Sequence, residues 1–404
     1  MIEPKHPDAT APDDIADKLV EPEEPGWFER LGIRYFHKLA AQEHDRYDLA
    51  RDDDQMAAMV RQVTWINAFW AFAIGALSAG ATVFTEEYFR PVYLPETVTD
   101  HPLINQVWLY SWVGGVTAIM TGAEFVVLFL VSIRAVFFIA RITGHNRLHL
   151  ENAQPGVSIP NLLSRAALEI PDPVRHVLGI DPLARVSRRR MILIGLLYKL
   201  KIFASNVLGK LILKRFVGKG VLRVSAAWIS VPITGFWNGF VVWKVAREAR
   251  MRLFGNLLAN YLVTEVITPA KMARLSERAR MGCIRAIGNS VVLTQNAHPN
   301  MIILMIQLCK VFQIQEGDHL DSWDHFLADL ESVAEHERFF ILDLLSISTA
   351  FDGKLSRLER KTLPEAFGEH TVVYMQRIRK LSDLMHKGRL HAARELCDLD
   401  FEAG

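Results

Sequence analysis

The sequence predicts an all-α protein: a helical membrane domain of about four membrane segments, followed by a helical bundle on the cytosolic side. Three observations carry this. Val107–Thr143 is broken internally only by Glu124 and Arg134, with Arg141 at its end. About 20 apolar residues rising about 1.5 Å each suffice to cross a hydrocarbon core of about 30 Å, and this run exceeds them. Two further apolar runs, Val63–Thr85 and Val224–Trp243, flank it in the chain. From Arg247 to Gly404 the pattern changes: 20 Lys or Arg balance 21 Asp or Glu, and apolar residues recur at helical spacing between short turns, as in a water-facing helical domain.

Taken in order, residues 1–26 carry Lys5 and Lys18 against eight carboxylates and are too polar to bury, so a disordered acidic N-terminus is expected. Residues 27–62 are expected to be cytosolic juxtamembrane helices. In WFERLGIRYFHKLAAQ, Trp27, Leu31, Tyr35 and Leu39 fall at successive fours. That stripe suits a helix lying on the membrane surface or docking on the cytosolic domain. Residues 63–143 form a transmembrane hairpin. The first span is rich in small residues (Gly75, Ala76, Ser78, Ala79, Gly80), and Gly114, Gly115 and Gly122 of the second offer a matching face for close helix packing. The intervening Glu86–Gln106 holds Arg90 as its only Lys or Arg, whereas both outer flanks are basic. The positive-inside bias therefore places this loop outside and the N-terminus in the cytosol. There is no basic, early apolar leader, so insertion is expected to use the first span itself.

Residues 144–190 read as a Pro- and Arg-rich cytosolic linker. Residues 191–246 read as a basic membrane-associated hairpin of Met191–Val217 and Val224–Trp243. From Pro182 to Arg247 there are thirteen Lys or Arg and no acid. In a membrane protein such a stretch points to anionic lipid rather than nucleic acid, with Lys199, Lys210, Lys214 and Lys219 as lipid-binding candidates. An even number of crossings leaves both termini cytosolic, in a multi-pass protein of a bacterial inner membrane. The three cysteines, Cys283, Cys309 and Cys397, are dispersed and lack metal-ligand spacing, and read as reduced thiols.

In residues 247–404 the expected helices are Thr268–Thr294 (broken near Gly282 or Gly288), Asn300–Gln313, Ser322–Ser332, Glu337–Ala350, Ser356–Ala366 and Thr371–Lys387, then a weak tail over His386–Phe401. The sharpest local signal is FFILDLLSISTAFDGKLSRLERKTL, residues 339–363. Asp352-Gly353 is a tight turn, and Ser356 with Glu359 forms a capping box opening the next helix. Set on a calcium loop, Ser348 and Ala350 stand where the first two carboxylates belong.

The phrase AFDGKLSRLERKTL resembles the helix–Asp-Gly–helix phrase of TerB-like domains, the all-helical bundles named for tellurite-resistance proteins, over about Ala270–Lys387. The resemblance implies an interaction or stress-response module and a possible divalent metal at Asp352 and Glu359, the two positions that match. In the upstream counterpart TQNAHPNMIILMIQL, Asn296 stands in place of an Asp. Otherwise no cofactor is expected. A second acidic and histidine-rich cluster contains Glu316, Asp318, His319, Asp321, Asp324, His325, Glu335 and His336. Glu316-x-x-His319 has di-iron spacing, but in a single copy ahead of a helix. The alternative is a polar inter-helix loop whose acidic groups favour the start of the next helix.

Glu124 is the intramembrane candidate. It is either a proton or cation site, or a neutral carboxyl bonded to Ser78 or Thr82 across the helix pair. With no phosphate loop, nucleophile elbow or paired zinc motif, no enzyme is expected. The expectation is a membrane scaffold presenting its helical domain to a protein partner or to a second copy of itself. The alternative is a small proton- or cation-coupled transporter or channel using Glu124.

Overall fold

The computed structural model describes residues 27–41, 52–93, 102–144, 180, 225–295, 298–313 and 319–399, and the regular elements among them are all helices. The acidic N-terminus, residues 145–190 of the linker apart from Ile180, the 191–217 segment and the candidates Lys199, Lys210, Lys214 and Lys219 lie outside the described residues.

Helix α1 (Trp27–Ala40) packs on α3, with Leu39 buried and Leu31 and Tyr35 against the core. Helices α2 (Asp53–Tyr93) and α3 (Pro102–Ile142), 41 residues each, are long and apolar enough to cross a membrane. Helix α4 (Ser225–Tyr261) is a continuous rod of 37 residues lying along both, and it contains the Val224–Trp243 run apart from its first residue.

The register of this trio is readable at two levels. Ala71, Leu128 and Val242 form one buried layer. One turn away, Gly75 abuts Asn238, whose Nδ2 donates to Oε1 of Glu124 at 2.7 Å. Numbers rise along α2 as they fall along α3 and α4, so α2 is antiparallel to the other two, which run parallel. The end of α3 and the start of α4 therefore lie at opposite ends of the trio.

The small residues expected to join the first two spans do something else. A Cβ on Gly114, Gly115, Gly122 or Gly80 would meet nothing within 4 Å. The close approach is between α2 and α4: a Cβ on Gly235 would sit 2.8 Å from the Phe72 carbonyl oxygen, one on Gly239 3.0 Å from that of Ala68, and one on Gly75 2.9 Å from that of Thr234. Backbones this close gain van der Waals and Cα–H···O contact, which drives helix association where lipid surrounds it.

Beyond Val242, α4 enters the bundle, and Val245, Ala246, Ala249, Met251, Phe254 and Leu258 are buried. It ends in a π-helical turn, Leu262–Val266, before α5 (Pro269–Met272). Helix α6 (Glu277–Thr294) follows, so the break expected at Gly282 or Gly288 falls at residues 273–276 instead. Both glycines admit neighbours: a Cβ at Gly288 would meet the Leu320 carbonyl oxygen at 2.3 Å, and one at Gly282 the Ile341 Cδ1 at 2.8 Å. Ser276 caps α6 through the Ala279 N–H, and Glu337 holds that cap by accepting from Ser276 N and Oγ.

The remaining helices are α7 (Pro299–Phe312), α8 (Trp323–Ser332), α9 (Glu335–Ala350), α10 (Arg357–Phe367), α11 (Thr371–Lys387) and α12 (Leu390–Glu395). The bounds of α7 to α11 lie within about two residues of those expected, with Ser322 and Ser356 as N-caps, whereas the tail expected over His386–Phe401 forms only the short α12, because α11 runs on to Lys387 and Gly388 ends it. Helices α6 and α9 make the bundle's central pair, and inside it the Ser290 hydroxyl bonds that of Ser348 at 2.6 Å, satisfying buried oxygens. The last helix returns to the first membrane-length one. The Asp53 carboxylate, at the start of α2, accepts from His391 N, His391 Nδ1 and Ala392 N, and so caps α12 from another element.

Candidate functional site

Two polar sites lie along α4, one inside the trio and one where it meets the bundle. In the trio, Glu124 is 5 % exposed and Asn238 wholly buried. Its partner across the helices is this amide, not Ser78 or Thr82 as expected from the hairpin; Thr82 Oγ1 instead donates to the Ser78 carbonyl in its own helix. The reason is the packing just described, which inserts α4 against the glycine face of α2. Oδ1 of Asn238 has no hydrogen-bond partner, and on the bundle side the apolar Ala71–Leu128–Val242 layer covers the pair. Sequence reasoning missed Asn238, although Gly235-x-x-x-Gly239 inside an apolar run was a visible sign of a packing face.

The second site is the α9–α10 turn. Gly353 has φ +70°, and a Cβ there would lie 2.5 Å from Met251 Cε and 3.0 Å from His386 Nε2. Glycine is thus required both by the turn and by the approach of α4. Lys354 N donates to Asp352 Oδ1 at 2.8 Å. The capping box is formed: Glu359 N donates to Ser356 Oγ at 3.0 Å, and Ser356 N to Glu359 Oε2 at 2.5 Å. Glu359 is wholly buried, and its Oε1 has no hydrogen-bond partner.

Around the turn, Nε2 of His386 lies 3.2 Å from the Gly353 carbonyl oxygen and 3.3 Å from Arg247 Nη2. A neutral ring serves one at a time, donating to the carbonyl or accepting from the guanidinium. Arg250 donates to the His386 carbonyl oxygen at 3.0 Å, and Asn300 Nδ2 to that of Met251 at 3.3 Å. Burial, then the neighbouring Glu359 and the more distant Glu248, push Asp352 up to about 7. Burial, then Arg247 and Arg250, push His386 down to about 4. The two groups therefore spend neutral pH partly or wholly uncharged in a contact between α4 and the bundle.

The two sequence-predicted metal candidates are thus neighbours, but each carboxylate is engaged with its own turn. Among the described residues no three His, Cys, Asp or Glu side chains converge as a metal site. Glu316 and Asp318 lie outside the described residues. His319, at φ +66°, stacks on His325 with ring centroids 4.9 Å apart, in the turn that Ser322 ends by capping α8. The three thiols are buried, and burial pushes Cys309 and Cys397 up to about 12 and Cys283 higher still, so they are unreactive as nucleophiles.

No family model, no curated protein and no solved structure matches the chain. Its class is accordingly set by its own architecture: an all-helical protein with two helices long and apolar enough to span a membrane.

Proposed function

We propose that the chain is a multi-pass protein of a bacterial inner membrane that presents a cytosolic, TerB-like helical module to a protein partner, without chemistry of its own. One observation carries this reading: the trio wears an outward apolar band of bilayer thickness. Trp65, Phe69, Leu77 and Phe84 on α2, Tyr110, Ile119 and Val126 on α3, and Trp228, Phe236 and Phe240 on α4 are all exposed. Polar or aromatic groups bound the band, Glu87 bonded to Trp228 at one end and exposed Arg134 and Arg247 at the other. From Trp228 to Arg247, or from Trp112 to Arg134, is about 29–33 Å at the helical rise, against about 30 Å of hydrocarbon.

The antiparallel register supports four crossings. The end of α3 and the start of α4 lie at opposite ends of the trio, and the second apolar run of the chain's basic hairpin lies in α4 itself. The arginine-rich end carries the bundle, which by the positive-inside rule supports a cytosolic module. The Asp352-Gly353 turn and its capping box support the TerB-like assignment, and the fixed seat of that turn on α4 suits a presented module.

Two measurements test this. The protein stays in the membrane pellet after alkaline carbonate extraction, and a reporter active only in the periplasm is silent after Gly404 and active when inserted at residues 94–101. Release into the supernatant removes the membrane reading; activity after Gly404 reverses the topology.

A transporter using Glu124 is favoured by one observation, the buried carboxylate beside an amide oxygen without a donor. Glu124→Gln keeps size and hydrogen-bonding capacity, so on the anchoring reading it leaves assembly intact. Proton or cation flux in proteoliposomes that this change abolishes in a folded variant overturns anchoring in favour of transport.

A further inference from the structure

The membrane reading leaves three cations to explain. Arg61 on α2, Arg134 on α3 and Arg247 on α4 are exposed, one from each helix of the trio, and among the described residues none meets a carboxylate. They share a depth. From the Ala71–Leu128–Val242 layer, Arg247 lies about 7–8 Å toward the bundle, Arg134 about 9 Å and Arg61 about 15 Å, at 1.5 Å per residue. That spread matches the few ångströms of one headgroup layer beyond the hydrocarbon edge.

Two further arginines of this part of α4 are committed elsewhere. Arg250 bonds the His386 and Ala246 carbonyl oxygens, and Arg252 pairs with Glu248. Two of the three arginines lie against rings, Arg134 5.6 Å from the Phe138 centroid and Arg247 5.8 Å from that of Trp243. An arginine stacked on an interfacial aromatic ring keeps its planar fork of donors turned outward, the arrangement that takes a phosphate oxygen pair. Among the described residues Arg247 meets the ring of His386, and an imidazole, neutral or protonated, supplies no negative counter-charge. At the opposite end the trio carries Glu86, Glu87 and Arg90, so a preference for anions belongs to one leaflet only.

We propose that Arg61, Arg134 and Arg247 form a belt that binds anionic phospholipid headgroups in the leaflet facing the bundle. The belt rests on the membrane-embedded reading of the trio, and it is separate from the lysines of residues 199–219. The partner is a lipid rather than a soluble phosphate because the three guanidiniums come from three different helices of a shaft whose exposed side chains are apolar.

The experiment uses the purified full chain in detergent, with native mass spectrometry after adding phosphatidylglycerol, phosphatidylcholine or the water-soluble headgroup glycerol phosphate. Wild type should retain phosphatidylglycerol over phosphatidylcholine and ignore glycerol phosphate. Each of Arg61→Gln, Arg134→Gln and Arg247→Gln should cut that preference about five-fold, the equivalent of about 1 kcal/mol per near-surface cation. Arg379→Gln, exposed on α11 within the bundle, should leave it unchanged. Lack of a preference in wild type overturns the belt whatever the variants do. So does a preference that survives the triple change in a protein with wild-type melting, and equal retention of glycerol phosphate overturns the lipid assignment. Carbonate extraction is read in parallel: a protein that remains membrane-bound but shows no lipid preference loses only the belt.

Discussion

Gly235→Val should disassemble the α2–α3–α4 trio, whereas Gly80→Ala should leave it intact or slightly firmer. At Gly235 the new side chain would start 2.8 Å from the Phe72 backbone oxygen, which cannot rotate aside, so α2 and α4 must separate along their length. Over-packing alone costs about 1–3 kcal/mol. Separation would also take Asn238 away from Glu124 and leave a buried carboxyl without that donor, adding about 1–3 kcal/mol. At Gly80 a Cβ meets nothing within 4 Å, so alanine gains up to about 1 kcal/mol of helix propensity. The check is thermal unfolding of both proteins in the same detergent. Equal melting temperatures would mean that α2 and α4 do not pack through these glycines.

Asp352→Asn should stabilise the bundle at pH 8 by about 2 kcal/mol and give its stability a rising slope between pH 4 and 6.5, where that of the wild type is nearly flat. Asp352 titrates near 7 in the fold against 3.8 in the open chain, so the folded protein binds the extra proton in between. The stability it contributes is full below about pH 4 and is lost as pH rises through 7. His386 acts oppositely: held near 4 against 6.5, it contributes above pH 6.5 and loses that contribution as pH falls through 4. Between pH 4 and 6.5 the two nearly cancel in the wild type. Asparagine can still accept from Lys354 N, so the variant keeps the turn while removing one titration, and its stability should climb with pH up to about 6.5. Cys283, Cys309 and Cys397 supply the readout, since all three are buried and become labelled by a thiol reagent only when the bundle opens. Parallel pH profiles for the two proteins would show that Asp352 keeps its ordinary acidity.

The helices of the bundle were legible because each signal is local. Ser356 is a cap that needs only the next three residues, and the periodicity of Thr371–Lys387 is that of one buried face. What could not be read was pairing. Gly75, Gly114 and Gly235 look alike in a sequence, yet only the first and last face a neighbouring backbone, because the choice depends on how three helices rotate against one another. The same limit hid the partner of Glu124, an amide 114 residues away. Gly282 and Gly288 misled for a related reason: glycine in a helix marks either a break or a close approach, and here Ile341 and Leu320 make it the second. The Asp352-Gly353 turn was visible as a turn, but its seat against Met251 and His386 was not.

The shaft of α4 has no joint between Asn238 and the bundle core at Leu258, a distance of about 30 Å at the helical rise. A module hung on a flexible linker searches a volume, whereas, on the membrane reading proposed above, one built around the end of such a rod keeps a constant height and bearing over the bilayer. On that reading a partner of the bundle comes to it along the plane of the membrane or reaches up to a fixed altitude, and two copies side by side would present the same faces at the same level. What this protein gives up in reach, it holds as orientation.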